Sequence, residues 1–316
     1  MCLYPTLIKN PKYLPNKKNN YNEPQPTDNR VKYVAIGCGN CIECRTQKAR
    51  QWQVRLSEEL KIHKYAYFVT LTFNDLSLSD LSNEIGAKDT LNAIATLAIR
   101  RFLERWRKKH KKSIKHWLVT ELGHTNTERL HIHGILFNET EITNEELQSI
   151  WQYGITDTGK YCNQRTINYV VKYIMKIDND HKFYKAEIFA SAGIGKNFVN
   201  ENTKNIYKYK PHNSKEFYIL PNGTKVNLPI YYRNKFYNEE EREKMWCDRL
   251  DKKTIFVRGI EIKNIDTPEG FKIYADTLHD QQLINKSLGY GSDIKEWKFE
   301  EYNHTLKMLN KGASVR

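Results

Sequence analysis

The sequence predicts an α+β fold, an antiparallel sheet with helices packed on it, and three observations predict it. A β-branched and aromatic run spans residues 65–73. Apolar stripes at helical spacing lie on either side of it, at residues 45–63 and 89–110. Two further strand-like runs, 114–121 and 131–137, flank a polar turn and form a hairpin.

Each element has a local reason. Residues 3–30, rich in Pro, Asn and Lys, are predicted irregular. In the first helix Ala49, Trp52, Leu56 and Leu60 fall on one stripe. Asn74 and Asp75 end the strand, and 76–88 reads as a polar loop. In the second helix Leu91, Ile94, Ala98, Phe102 and Trp106 face the core and the Arg/Lys residues face out. Thr125-Asn126-Thr127 turns the hairpin, 143–151 is a short helix, Gly154 to Gly159 a loop, and 166–177 a helix. The order suits a sheet covered on one face. Further on, Pro221-Asn222-Gly223 predicts a tight hairpin turn, 238–250 a helix and 253–262 a strand. The expected divisions are a Cys-containing segment with its helix at 1–64, a core at 65–195 and a mixed C-terminal extension at 196–316.

The chain has 316 residues, 28% of them charged, and a formal net charge of +14. Such a basic excess favours a polyanionic partner. Arg100-Arg101, Arg105 to Lys109 and Lys111-Lys112 cluster as a phosphate-tracking surface would. No apolar run is long enough to span a membrane, and the first residues lack a signal-peptide pattern. The cytoplasm is the expected compartment, where disulfides are disfavoured.

Residues two apart on a strand share a face, so His131 and His133 point the same way. Two imidazoles on a rigid strand offer two ligands to a divalent metal. Polar pairs on half-exposed strands are also common without a metal. Glu121 ends the preceding strand and lies across the hairpin from them, a third ligand. His124 and Glu128, in the turn, compete for that place. On the helix at 166–177, Tyr169, Lys172, Tyr173 and Lys176 make one face, and Ile167, Val170, Val171 and Ile174 the other. The apolar face is complete without the tyrosines. Lys172 and Lys176 are placed to favour a phenolate or to hold phosphates.

Together these residues resemble the HUH endonucleases, whose motif is two histidines around a hydrophobic residue. His131-Ile132-His133 matches it, and Phe68 to Phe73 is similar to the upstream strand of rolling-circle initiators. Tyr169 to Lys176 is similar to the motif of the two-tyrosine initiators. Met1-Cys2, Cys38 to Arg45, the helix around Trp52, Trp151 with Gly154, Ser191 to Gly195 and Leu228 to Tyr232 resemble the replication initiators of microviruses, in particular the gokushovirus branch. The likeness covers roughly residues 1–235. Leu130 stands where many relatives have Pro, a position that carries no ligand.

The resemblance implies an HUH-type sheet and an endonuclease that nicks the replication origin. Tyr169 and Tyr173 would alternate as nucleophiles through 5′-phosphotyrosine links, then rejoin the displaced strand. His131, His133 and Glu121 would hold Mg²⁺ or Mn²⁺. Its partners would be single-stranded and origin DNA and the host polymerase and helicase, in the cytoplasm of an infected bacterium. A plasmid mobilisation relaxase or transposase-like nickase is the neighbouring possibility, usually with one tyrosine. A non-catalytic basic DNA-binding or packaging protein would need neither pair.

Cys38, Cys41 and Cys44 are spaced by two residues each. Thiolates at that spacing bind zinc, with Cys2 as the fourth ligand of a structural Zn²⁺ site. Three reduced thiols at a helix start would share the spacing. Cys162 and Cys247 are isolated and structural.

Overall fold

A computed structural model describes residues 1–86, 91–123, 129–177 and 184–292, with Trp297 and Phe299. Along the chain run β1 (Thr6–Lys9), β2 (Tyr33–Ile36), α1 (Ile42–Leu60), β3 (Tyr65–Thr72), α2 (Asp75–Ile85), α3 (Leu91–His110), β4 (Lys115–Leu122), β5 (Leu130–Asn138), α4 (Asn144–Trp151) and β6 (Thr156–Tyr161). Then come α5 (Gln164–Val170), α6 (Lys172–Met175), β7 (Ile188–Ala190), α7 (Glu201–Ile206), β8 (Phe217–Ile219), β9 (Lys225–Asn227), α8 (Ile230–Phe236), α9 (Glu239–Asp251), β10 (Ile255–Val257), β11 (Ile260–Ile262) and α10 (Pro268–Ser287). The chain forms two compact units. The first comprises residues 1–48, 201–217 and 230–316, the second 49–200 and 218–229.

The second unit is built on a five-stranded sheet of order β6-β3-β5-β4-β7, every neighbour antiparallel. This is the α+β architecture expected. Helices cover both faces rather than one. On one face Val69, Leu71, Leu118, Ile132 and Leu136 pack with Ile94, Ala98, Phe102 and Trp106 of α3 and Trp151 of α4. On the other, Ala66, Trp117, Val119, Ile135 and Phe137 pack with Ala49 and Leu56 of α1 and with Ile167, Val170, Val171 and Ile174. Strand alternation explains the split, because successive side chains point to opposite faces.

Several local expectations change. Residues 76–88 are not all loop: Asn74 caps α2 by accepting from Ser77 N at 2.8 Å, and Gly86 ends it in the left-handed region. Leu78, Leu81 and Ile85 are the helical stripe that the polar composition hides. Residues 156–161 are strand β6 at the sheet edge, not loop, because pairing with β3 outweighs their Gly and Asp content. Thr6–Lys9, predicted irregular, pairs with β2. The single strand expected at 253–262 is a hairpin, turned at Arg258 and Gly259, both with positive φ. The hairpin around Gly223 is present as β8 and β9.

The basic helix α3 also differs from expectation. Arg105 donates to Ile150 O and Trp151 O, both at 2.6 Å, and stacks over Tyr153. It thus satisfies the carbonyls at the end of α4. Arg100, Arg101, Lys109 and Lys112 form ion pairs with Glu104, Glu84, Glu146 and Glu139. Much of the expected phosphate-tracking cluster is therefore paired. Charge alone does not reveal this, because most of the partners are distant in sequence.

In α1 the stripe expected at Ala49, Trp52, Leu56 and Leu60 is extended by two buried glutamates. Glu58 is paired with Lys61 and Tyr218. Glu59, with no exposed side chain, accepts from Lys115, His63 and Gly195 N, each at 2.6 Å.

Candidate active site

The site sits on the α1 face of the sheet, across β3, β4 and β5. Register places Glu121 beside His131 and, on the other flank, Thr72 beside His131. One row further, Thr70, His133 and Val119 align. Cross-strand partners share a face, so both histidines and Glu121 emerge together, with Ile135 and Phe137 continuing that face into the core.

The histidine rings lie parallel, 5° apart, with centroids at 6.2 Å. Each is oriented through Nδ1. His131 Nδ1 lies 2.7 Å from Arg129 O, and His133 Nδ1 lies 3.1 Å from Thr70 Oγ1. A carbonyl partner requires His131 to carry its proton on Nδ1, which leaves the Nε2 lone pair available to a metal. His133 Nε2 meets Glu121 Oε2 at 2.9 Å, and Lys176 Nζ ion-pairs with Glu121 Oε1. Burial raises the Glu121 carboxyl, but the contacts from His133 and Lys176 outweigh it and hold the group below its usual range.

The tyrosine segment is two helical pieces, α5 and α6, joined at Val171. Asn163 starts it with a capping box, accepting from Arg165 N and Thr166 N. Ile167, Val170, Val171 and Ile174 are buried as expected. Lys176 is extended rather than helical, with ψ at 132°. Tyr173 stacks on His133 with centroids 4.7 Å and planes 10° apart, and its hydroxyl donates to Tyr169 Oη at 3.0 Å. Tyr169 is 52% exposed and meets Phe68 edge-on.

The expected lysine effect on the tyrosines is not what the geometry produces at Tyr173. Burial, the bond to Tyr169 and the Glu121 charge raise its hydroxyl well above the usual tyrosine range. Lys176 is instead drawn to Glu121, and Lys172 is exposed. Sequence reasoning passes over Thr70 and Phe68. Their signal is the alternation of β3, which puts 68, 70 and 72 on the histidine face. His124 and Glu128 lie outside the described residues, as does the turn at 125–127.

The donor set fits a divalent ion chemically: two imidazoles oriented through Nδ1 and one ionised carboxylate on a common face. Among the described residues, the side chains of His, Cys, Asp and Glu whose ligand atoms converge in groups of three or more are the four cysteines. At the histidines Glu121 is occupied by His133 and Lys176, so metal binding there would draw Glu121 away from Lys176.

Residues 66–178 match the family model for the ORF2 class of replication-associated protein. All seven candidate side chains lie inside that match. The chain is similar to the replication-associated protein ORF2 of Spiroplasma virus 4, 26% identical over 275 residues, covering 78% of this chain and 81% of that protein. It is also similar to the replication-associated protein VP4 of Bdellovibrio phage phiMH2K, 25% identical over 240 residues, covering 68% and 70% of the two chains. No solved structure matches.

Proposed function

As a microvirus-type replication initiator, the chain needs a way to open its own origin, and we propose that it does so by tyrosine attack on single-stranded origin DNA. The observation that carries this is the hydroxyl pair: Tyr173 Oη donates to Tyr169 Oη at 3.0 Å while its ring stacks on His133. Two nucleophiles within one hydrogen bond, beside a metal-ligand set, suit successive phosphoryl transfers.

In the cut, a tyrosine Oη forms a bond to phosphorus and the bond from phosphorus to the 3′ oxygen breaks. The departing oxygen takes up a proton equivalent to the one the phenol loses, leaving a 3′ hydroxyl and a 5′-phosphotyrosine. Joining is the reverse, with a 3′ hydroxyl attacking the phosphotyrosine. Mg²⁺ or Mn²⁺ held by His131, His133 and Glu121 would withdraw charge from the phosphate.

The protein's own groups do the rest. Arg129 O and Thr70 hold the imidazoles in orientation. The His133 ring fixes Tyr173 by stacking. Lys176, released from Glu121 when that carboxylate turns to a metal, supplies a positive charge to the phosphate. Exposed Lys172 sits on the tyrosine face and contributes a further cation to the strand. The raised hydroxyl of Tyr173 makes it a reluctant nucleophile until phosphate and cations arrive. Exposed Tyr169 is placed to attack first, and Tyr173 to take the second transfer.

The test uses labelled single-stranded oligonucleotides tiled across the genome that encodes the chain. With Mg²⁺ or Mn²⁺, one tile should give a denaturant-resistant adduct. Tyr169→Phe with Tyr173→Phe should abolish the adduct and retain binding. Binding with no adduct from any tile would sink the enzyme reading. One single variant with full cutting and full joining would sink the two-nucleophile cycle.

A further inference from the structure

We propose that Cys2, Cys38, Cys41 and Cys44 bind one zinc ion as a closed tetrathiolate site that ties the first unit together. It is independent of the nicking chemistry and uses none of its residues.

The fold assembles the four thiols from two distant places. The antiparallel ladder of β1 with β2 pairs Thr6 with Ile36. Cys2 precedes that pair on one strand and Cys38 follows it on the other, so the ladder delivers them to the same end. Cys41 immediately precedes α1, and Cys44 lies in its first turn. The four Sγ atoms all lie within 4.8 Å of one another, with Cys2 and Cys41 at 3.9 Å.

That spacing discriminates among the uses of cysteine. A disulfide needs about 2.05 Å between sulfurs, and all six cysteines are free thiols. A zinc–sulfur bond of about 2.3 Å in a tetrahedron puts neighbouring sulfurs about 3.8 Å apart. The thiolates of a four-iron cluster sit on different irons and spread further. The observed cluster is one small contraction from a single tetrahedral ion.

The surroundings suit a bound dianion. Backbone N–H groups of Tyr4 and Cys38 donate to Cys2 Sγ at 3.2 Å, and that of Cys41 donates to Cys38 Sγ at 3.3 Å. The positive end of α1 faces Cys41 and Cys44, which favours thiolates. A Cβ on Gly37 would stand 3.0 Å from Cys44 Sγ, so glycine there leaves the space that the sulfur uses. Buried Asn285 accepts from Ile42 N at 2.9 Å and donates to Tyr290 O, pinning α10 to the ligand-bearing start of α1.

The role follows from the packing. Cys41 is fully buried among Leu3, Val257, Ile262, Tyr274 and Leu278. Four protein ligands leave no position for water or substrate, so the ion is structural. Four thiols and one zinc ion give a zinc tetrathiolate of charge 2− and release four protons. The small core of this unit would draw much of its stability from that step.

The experiment is elemental analysis of the purified full chain. One zinc per chain is expected, with the same chain showing protected thiols that become reactive together when a mercurial displaces the metal. Reconstitution with Co²⁺ should give the intense visible bands of a tetrahedral tetrathiolate. Cys41→Ser should lose the metal, and Cys162→Ser should keep it. If Cys41→Ser does not fold, the cobalt spectrum and thiol protection of the unaltered chain still decide. A chain without stoichiometric metal, a chain carrying iron instead, or zinc that survives in soluble Cys41→Ser would overturn the proposal.

Discussion

At the residue scale, His131 and His133 play unequal parts although the motif writes them alike. His133 is held on both nitrogens, by Thr70 and by Glu121, and carries Tyr173 on its ring face. His131 is held on one nitrogen, by Arg129 O, with Nε2 available. His131→Ala therefore removes a metal ligand without disturbing the stacked tyrosine. Cleavage of the origin oligonucleotide should fall about 100-fold or more, the scale for losing one electrostatic stabiliser of a transition state. Binding of the same oligonucleotide, read by anisotropy, should change little. Unchanged cleavage at limiting metal would remove His131 from the ligand set.

At the element scale, one glutamate joins three pieces of backbone. Glu59 of α1 accepts from Lys115 at the start of β4, from His63 beyond α1 and from Gly195 N. Burial works against its charge, but these donors win and hold its carboxyl below the usual range. The sign follows from the lowered value. The stabilisation is fully present above the ordinary carboxylate pKa of about 4.3. It is lost as pH falls through the lower folded value, where the folded chain takes up the proton. Glu59→Gln should therefore lower the thermal midpoint near neutral pH, and the gap to the parent should close under acid conditions. A gap that stays constant with pH would mean that Glu59 acts by shape rather than charge.

At the scale of the whole molecule, net charge and functional surface separate. The chain is strongly basic, yet α3, its densest basic helix, packs on the sheet face opposite the histidines and tyrosines. Several of its cations are tied to glutamates or to the end of α4. Arg107→Gln with Lys108→Gln, both exposed positions, should leave adduct formation on a short origin oligonucleotide unchanged. The same pair should flatten the salt dependence of binding to long duplex DNA, because a cation that no longer neutralises a phosphate no longer releases a counterion. A matching loss on the short oligonucleotide would place α3 at the site instead.

Local patterns in the sequence already announce the chemistry on offer. Periodicity two puts both histidines on one strand face. Periodicity 3.6 puts Tyr169 and Tyr173 on one helix face, away from Ile167, Val170, Val171 and Ile174. The repeated cysteine spacing announces a cluster. Each of these patterns is set by backbone geometry within one element. What each group meets is settled by packing. Only the register of β3, β4 and β5 brings Thr70, Glu121 and His133 together. Only the folded arrangement turns Lys176 to Glu121 and raises Tyr173 instead of activating it. The β1–β2 ladder, invisible in a Pro- and Asn-rich stretch, is what carries Cys2 to its partners. Pairing across long sequence separations depends on which surfaces are buried together, and no single segment encodes that.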